Sequence, residues 1–236
     1  MKIAIMQPYF FPYVGYYSLI KHSQKFLIFD KVQFIRHGWI DRNRILKPIE
    51  GWQYIQVPLL KHPREAQIKD IEIRNSEPWR DKLKAQLTHY KKRSPYYSQC
   101  MEVIDSALSI QTESIVELNE HILKTTCKYL NIDLDIATFS NLDLQIEDVQ
   151  APDEWALNIS LAMGFETYIN PPGGMDFFNR EKYHDHGVDL IFLSNNMQKY
   201  SQMRTSFENG LSIIDLMMFN NVDNINLIID DITLTK

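Results

Sequence analysis

Asp30, His37, Trp39, Arg42, Asn43 and Arg44 fall in one short segment of the chain, and their side-chain types suit a phosphate-bearing ligand. Two guanidinium groups and an imidazole can grip a mono- or diphosphate, and each guanidinium can do so through two parallel hydrogen bonds. Trp39 offers a face on which a base or sugar ring can stack. Asp30 closes the apolar run Phe26–Phe29, a position where a carboxylate orients a hydroxyl or amine or serves as a general base; His37 is the other acid/base candidate. As a pattern alone, the segment equally describes a charged hairpin with surface ion pairs.

A second group of residues precedes it. Met6–Ile20 holds six aromatic rings (Tyr9, Phe10, Phe11, Tyr13, Tyr16, Tyr17), two prolines (Pro8, Pro12) and Gly15. A core has use for the rings but none for the prolines, so the stretch reads as a stiffened loop beside a pocket. Gln7, Tyr9, Tyr13, Gly15 and Tyr16 are its ligand-facing candidates, with Gly15 opening a helix whose first amides suit a phosphate. A loop that packs its rings inward and binds nothing fits the same letters. A third candidate is Asn170-Pro-Pro-Gly-Gly174, where two prolines fix one side and Gly173 and Gly174 can present backbone amides. Ser201 and Arg204 form a weaker fourth. His184 and His186 sit too close together to share a helical face, so no metal site is expected there. No G-x-S-x-G, H-E-x-x-H or Walker pattern is present, and the sequence names no cofactor.

These residues need a frame. Lys2–Met6 is a short apolar run, then the proline loop, then a helical stretch from Gly15, then Phe26–Phe29: a βαβ pattern, which implies a parallel strand pair. Val32–Ile35 and Gln53–Val57 are expected as strands around a polar segment, Arg36–Arg44. Gln67–Arg74 alternates with period two and is expected as a half-exposed strand. From Pro78 to Leu130 the period is helical: Trp79, Leu83, Leu87 and Tyr90, then Met101, Ile104 and Leu108 beyond Pro95, then Ile115, Leu118, Ile122 and Tyr129 behind a cap at Thr112 or Ser114. Strand and helix patterns alternate again to the end: Ile136–Phe139, Pro152–Met163 stopped by Gly164, Thr167–Ile169, Phe177–His184 stopped by Gly187, Val188–Leu193, Leu211–Phe219 and Asn224–Ile229. The sum is an α/β fold, a Rossmann-like mostly parallel sheet with a helical block at about 78–130, in a single domain over residues 1–236.

Composition excludes several classes. The 236 residues are 44% hydrophobic and 23% charged, ordinary for a globular chain, with aromatics at 12%. A formal charge of −5 argues against a nucleic-acid coat. There is no signal-like segment and no apolar run long enough to span a membrane, so a cytoplasmic protein is expected, in which the sequon at Asn158 carries no meaning. Cys100 and Cys127 form no C-x-x-C pair and are expected as reduced, buried thiols.

Two resemblances add to this. The loop after the first strand is similar to that of the nucleotidylyltransferase superfamily, with Tyr13-Val14-Gly15-Tyr16 standing where that superfamily has H-x-G-H. Two phenols replace two histidines; a phenol donates one hydrogen bond but carries no positive charge near neutrality, so the resemblance bears on fold and a nucleotide site more than on adenylyl transfer. Ser201 and Arg204 are similar to its late S-x-x-R motif. Nearly end to end, the chain resembles the WbqC-like family, through "MQPYFFPYVGYYSLI", "FDKVQF" with "WIDRNRI", "YINPPGG", "YSQ" and "LSIIDLMMFN", in that order. That family is associated with surface-polysaccharide (O-antigen) gene clusters. The resemblance therefore implies a step in that pathway, and the expectation is an enzyme acting on a nucleotide-linked sugar, by acyl or aminoacyl transfer to an amino sugar. Asp30 or His37 would be its acid/base, Arg42 and Arg44 its phosphate ligands, and Tyr9, Tyr13, Tyr16 and Trp39 its pocket walls. A nucleotidyl- or adenylyl-transferring enzyme and a non-catalytic nucleotide-sugar-binding protein remain as alternatives.

Overall fold

In a computed structural model covering residues 1–236, the central element is the first strand, β1 (Lys2–Met6). Its residues bury alternately to opposite faces: Ala4 joins a large core on one side of the sheet, Ile3 and Ile5 a smaller core on the other. Helices cover both faces, which is why the strand reads as an unbroken apolar run. Helix α1 (Val14–Lys21) returns the chain to β2 (Lys25–Ile28), which pairs with β1 in parallel. The chain then leaves the sheet for a separate antiparallel hairpin, β3 (Arg42–Leu46) and β4 (Trp52–Gln56).

The helical block follows as α2 (Trp79–Leu87), α3 (Tyr97–Ala107) and α4 (Ile115–Tyr129), packing its apolar stripe into the larger core. Ser114 caps α4, accepting a hydrogen bond from the Glu117 amide, while Thr112 accepts one from Ser114 N. Strand β5 (Ile136–Thr138) joins the far side of β2. Then come α5 (Glu154–Ala162), β6 (Thr167–Asn170), α6 (Arg180–Asp185), β7 (Asp189–Asn195), α7 (Ile213–Phe219), α8 (Val222–Asp230) and β8 (Ile232–Thr235). Gly164 and Gly187 end α5 and α6 with φ of +74° and +73°, the left-handed conformation that suits glycine after a helix.

The six-stranded sheet has the order β5-β2-β1-β6-β7-β8, parallel except for β8. The mostly parallel α/β architecture with a helical block is as the sequence predicts. From β1 the chain builds outward through β2 and β5 on one side, and through β6 and β7 on the other. The order therefore reverses between β1 and β6, and in open α/β sheets a crevice forms beyond the strand ends at such a point.

Three local expectations fail, each for a physical reason. Val32–Ile35 is not a strand: Gln33 makes one isolated bridge to Gln67, and Ile35 stands exposed. Gln67–Arg74 is not a strand either. Ile68 and Ile71 bury at a spacing of three through a tight 3-10 turn (Ile68–Asp70), and only Ile73 continues with a spacing of two. The polar segment Arg36–Arg44 ends inside a strand, β3, because its inward position is taken by Asn43 rather than by an apolar residue. Helix α6 also starts later than the expected Phe177, at Arg180, where Asn179 caps it. Both cysteines are free and buried, and burial pushes the Cys127 thiol up to about 12. No helix is long and apolar enough to cross a membrane.

Candidate functional site

A pocket of about 600 Å³ opens where β1 and β6 diverge. Met6 and Gln7 come from the end of β1, Phe29 from just beyond β2, and Asn170–Gly174 from the end of β6. Tyr9 and Tyr13 of the aromatic loop, Trp39, and Asn43 and Arg44 of β3 form the opposite wall, closed by Met197 and Gly210. The volume lies in the range of small-molecule sites.

The aromatic loop is a rigid bracket behind this wall, and its composition follows from that task. Pro8, Phe10, Phe11 and Pro12 are buried without a strand partner, so each backbone polar group needs another. The prolines remove two N–H donors outright. Side chains take the carbonyls: Tyr16 Oη donates to Gln7 O (2.7 Å), Asn119 Nδ2 to Pro8 O (2.9 Å), and Asn43 Nδ2 to both Phe10 O (3.0 Å) and Phe11 O (2.9 Å). Ser212 Oγ donates to Phe11 O (2.7 Å), and the Ile213 amide to Pro12 O (2.9 Å). Phe11 is held at φ +39°, an unfavourable conformation for a bulky residue that this net of bonds fixes.

Arg44 is the only charged side chain in the pocket lining. Its guanidinium carbon lies 5.4 Å from the Trp39 ring centroid and 5.2 Å from that of Trp52, within cation–π range of both. Nη2 donates to Gly210 O (2.8 Å), while Nε is buried with no partner. A buried unpartnered donor is costly, and a ligand oxygen would satisfy it. Gly210 suits the site twice: its φ is +63°, and an added Cβ would stand 3.1 Å from Arg44 Nη2. Around this cation the lining offers the amide of Gln7, the hydroxyls of Tyr9 and Tyr13, and the indole of Trp39. Burial raises the pKa of both phenols, so they are neutral donors near pH 7. Asn43 and Asn170 are committed to the wall itself: Asn43 holds the loop, and Asn170 accepts from Tyr168 Oη (2.7 Å).

Of the residues singled out in the sequence, Gln7, Tyr9, Tyr13, Trp39, Asn43, Arg44, Gly173 and Gly174 meet in this pocket. Ser201 and Arg204 lie outside it, with Arg204 donating to Gly51 O (3.2 Å), and so do five others. Asp30 is buried, and its carboxylate accepts from the amide (3.0 Å) and hydroxyl (2.5 Å) of Ser140, which ties β2 to the segment after β5. His37 is exposed in a different groove. Arg42 folds back on its own segment, donating to His37 O (2.5 Å) and Gly38 O (3.3 Å), with its guanidinium over Tyr54. Tyr16 is fully buried against Tyr9 and Phe26. Gly15 is covered by the Tyr13 ring, which stands between the start of α1 and the pocket.

A buried polar knot that no sequence motif marks lies beside the pocket. Asp215, on α7, accepts from Tyr90 Oη (2.6 Å) on one oxygen and from Tyr200 Oη (2.6 Å) and Gln202 Nε2 (2.9 Å) on the other. Burial raises its carboxyl to about 6, against the opposing pull of these three donors. Gln202 also clasps Glu208 through its backbone N and O, so the knot shapes the irregular segment that carries Met197 and Gly210 to the pocket. The available signal was an acid in an otherwise apolar helix, Ile213–Phe219.

Over residues 7–227 the chain matches the WbqC-like protein family, and it belongs to that family. It is 24% identical over 218 residues to an uncharacterized protein of Mycobacterium tuberculosis, Rv1507c, a match that covers 92% of each chain. No solved structure matches it.

Proposed function

We propose that this member of the WbqC-like family binds a nucleotide-linked sugar in the β1/β6 pocket, as a cytoplasmic step of surface-polysaccharide (O-antigen) biosynthesis. The observation that carries the reading is Arg44, a fixed cation beside two indoles with an unpartnered Nε, in a pocket at the reversal of strand order. Phosphate oxygens pair with the guanidinium. Base or sugar rings lie against Tyr9, Tyr13 and Trp39, and the Gln7 amide and the two phenols bond hydroxyls. The family's association with polysaccharide gene clusters supplies the pathway.

Group transfer is the second reading: acyl or aminoacyl transfer from an activated donor to an amino sugar. A neutral sugar amine attacks the acyl carbon, the donor's carrier leaves with the electron pair of the broken bond, and the amine's proton passes to that leaving group or to water, so a site that orients the amine and neutralises phosphate charge is sufficient. The lining favours this over chemistry needing an ionisable base, since Arg44 is its only charged residue. Adenylyl transfer is disfavoured, because Tyr16, in the place of the second histidine of H-x-G-H, donates its hydroxyl to Gln7 O and does not reach the pocket.

Calorimetric titration with nucleotide sugars tests binding, and mass spectrometry after incubation with an activated acyl donor tests transfer. Arg44→Ala removes charge-assisted bonds worth about 1.5–3 kcal/mol, so the dissociation constant rises roughly ten- to hundredfold. Unchanged affinity in that variant removes Arg44 and this pocket from the reading. Saturable binding with no added mass on the sugar leaves a binding protein.

A further inference from the structure

On another side of the hairpin lies an open groove of about 480 Å³, between the 34–41 segment and the stretch that follows β4. Its floor holds Asp41, 5% exposed. Asp41 Oδ2 accepts from Gln56 Nε2 (2.8 Å), while Oδ1 is buried with no hydrogen-bond partner. The rim is cationic: Arg36 and Lys61 are exposed and enter no ion pair, and His62 stands edge-on to Phe34. Arg74, also lining the groove, is paired with Glu77 at 3.0 Å. A chain of net charge −5 thus concentrates positive charge around one buried carboxylate oxygen that wants a donor. A bare anion would satisfy the rim and be repelled by the floor. A simple cation would do the reverse.

We propose that this groove is a second ligand site, taking a phosphorylated polyol whose phosphate sits between Arg36 and Lys61 and whose hydroxyl donates to Asp41 Oδ1. A hydroxyl reaches a carboxylate as a donor without adding charge, so one molecule answers both features. Burial pushes the Asp41 carboxyl above its usual range, opposed by the Gln56 amide, its own N–H, and the charges of Arg42 and His37; an incoming donor reduces the cost of keeping it ionised. The site is independent of the β1/β6 pocket. The segment from His37 to Arg44 walls both, with His37 and Asp41 facing the groove and Trp39, Asn43 and Arg44 facing the pocket.

Isothermal titration with inorganic phosphate and with glycerol 3-phosphate tests it on the full chain. The native protein is expected to bind glycerol 3-phosphate about tenfold more tightly than phosphate, the worth of one hydrogen bond to a charged group. Asp41→Ala removes that preference, because no side-chain acceptor is then left for the ligand hydroxyl. The surface variant Arg36→Ala with Lys61→Ala leaves the core untouched and weakens both probes by about tenfold or more. Arg44→Ala alters neither, which separates this site from the pocket. Equal binding of the two probes to native protein, or no binding, overturns the proposal. So does a preference that persists in Asp41→Ala, or binding lost in Arg44→Ala but retained in the double variant.

Discussion

The ring of Tyr13 occupies the space beside Gly15 so closely that a Cβ there would stand 2.5 Å from the ring's Cε2 and 2.8 Å from its hydroxyl. Glycine at this position is a requirement of the pocket wall, because Tyr13 lines the pocket and Gly15 does not. Gly15→Ala must therefore swing the phenol into the cavity or shift α1. Overpacking of this kind costs about 1–3 kcal/mol. The expected result is a lower melting temperature together with roughly tenfold weaker nucleotide-sugar binding. Native affinity in a folded Gly15→Ala protein would show that the Tyr13 ring is no part of the ligand surface.

Asn43 holds two carbonyls of the aromatic loop on a single amide nitrogen. Removing it orphans the buried carbonyl of Phe10 and leaves that of Phe11 with Ser212 Oγ as its remaining donor. Asn43→Ala is expected to destabilise the protein by about 1–3 kcal/mol, measured by urea unfolding, the cost of one buried carbonyl left unsatisfied. Asn43→Asp keeps the shape but turns a carboxylate oxygen toward two carbonyl oxygens, and should be worse near neutral pH. A loss below about 0.5 kcal/mol in the alanine variant would mean that water or a shifted backbone replaces the amide.

These two positions also show how far the letters of the chain reach. The apolar runs of β1, β2, β6 and β7 and the helical periods of α2 to α4 were legible, because burial on both sheet faces or on one helix stripe leaves a pattern in the sequence itself. Strand β3 was not, since its first inward residue, Asn43, is polar for the sake of a loop more than thirty positions earlier. Among the rings of Met6–Ile20, sequence could not divide Tyr9 and Tyr13, which line the pocket, from Phe10, Phe11, Tyr16 and Tyr17, which are core. That division depends on which way each side chain leaves an irregular backbone. Asp30 looked poised at a strand end, yet Ser140, far along the chain, occupies its carboxylate. Arg42 and Arg44 are indistinguishable as letters two apart on a strand; one packs on Tyr54 and one enters the pocket.

That division of the arginines is testable in its own right. Arg44→Lys keeps a positive charge but loses the planar fork that bonds Gly210 O and lies by the indoles. Its affinity for a nucleotide sugar should fall between the native protein and Arg44→Ala. Arg42→Ala should leave affinity within about twofold, while lowering stability through the loss of its bonds to His37 O and Gly38 O, each worth about 0.5–3 kcal/mol. If Arg42→Ala abolishes ligand binding in a folded protein, the ligand reaches along the hairpin to the Tyr54 ring that Arg42 covers.

Asp215 gives a pH prediction whose sign is fixed by the direction of its shift. Its carboxyl is raised from 3.8 to about 6 in the folded chain, with burial the leading cause. Between those values the folded protein holds a proton that the unfolded chain has released. The group's contribution to stability is thus fully present below pH 3.8 and is lost as pH rises through about 6. Asp215→Asn removes the titration. In the window from about 4 to 6, the slope of unfolding free energy against pH should become more positive in the variant, by up to about 1.4 kcal/mol per pH unit, the value for one proton. Other carboxylates contribute equally to both proteins, so the difference between the two slopes isolates Asp215. The absolute stability of Asp215→Asn is expected to fall as well, because its amide presents hydrogens where Tyr90, or Tyr200 and Gln202, already point theirs. Parallel slopes for the two proteins across that window would mean that Asp215 is ionised alike in the folded and unfolded chains, and that its three donors outweigh its burial.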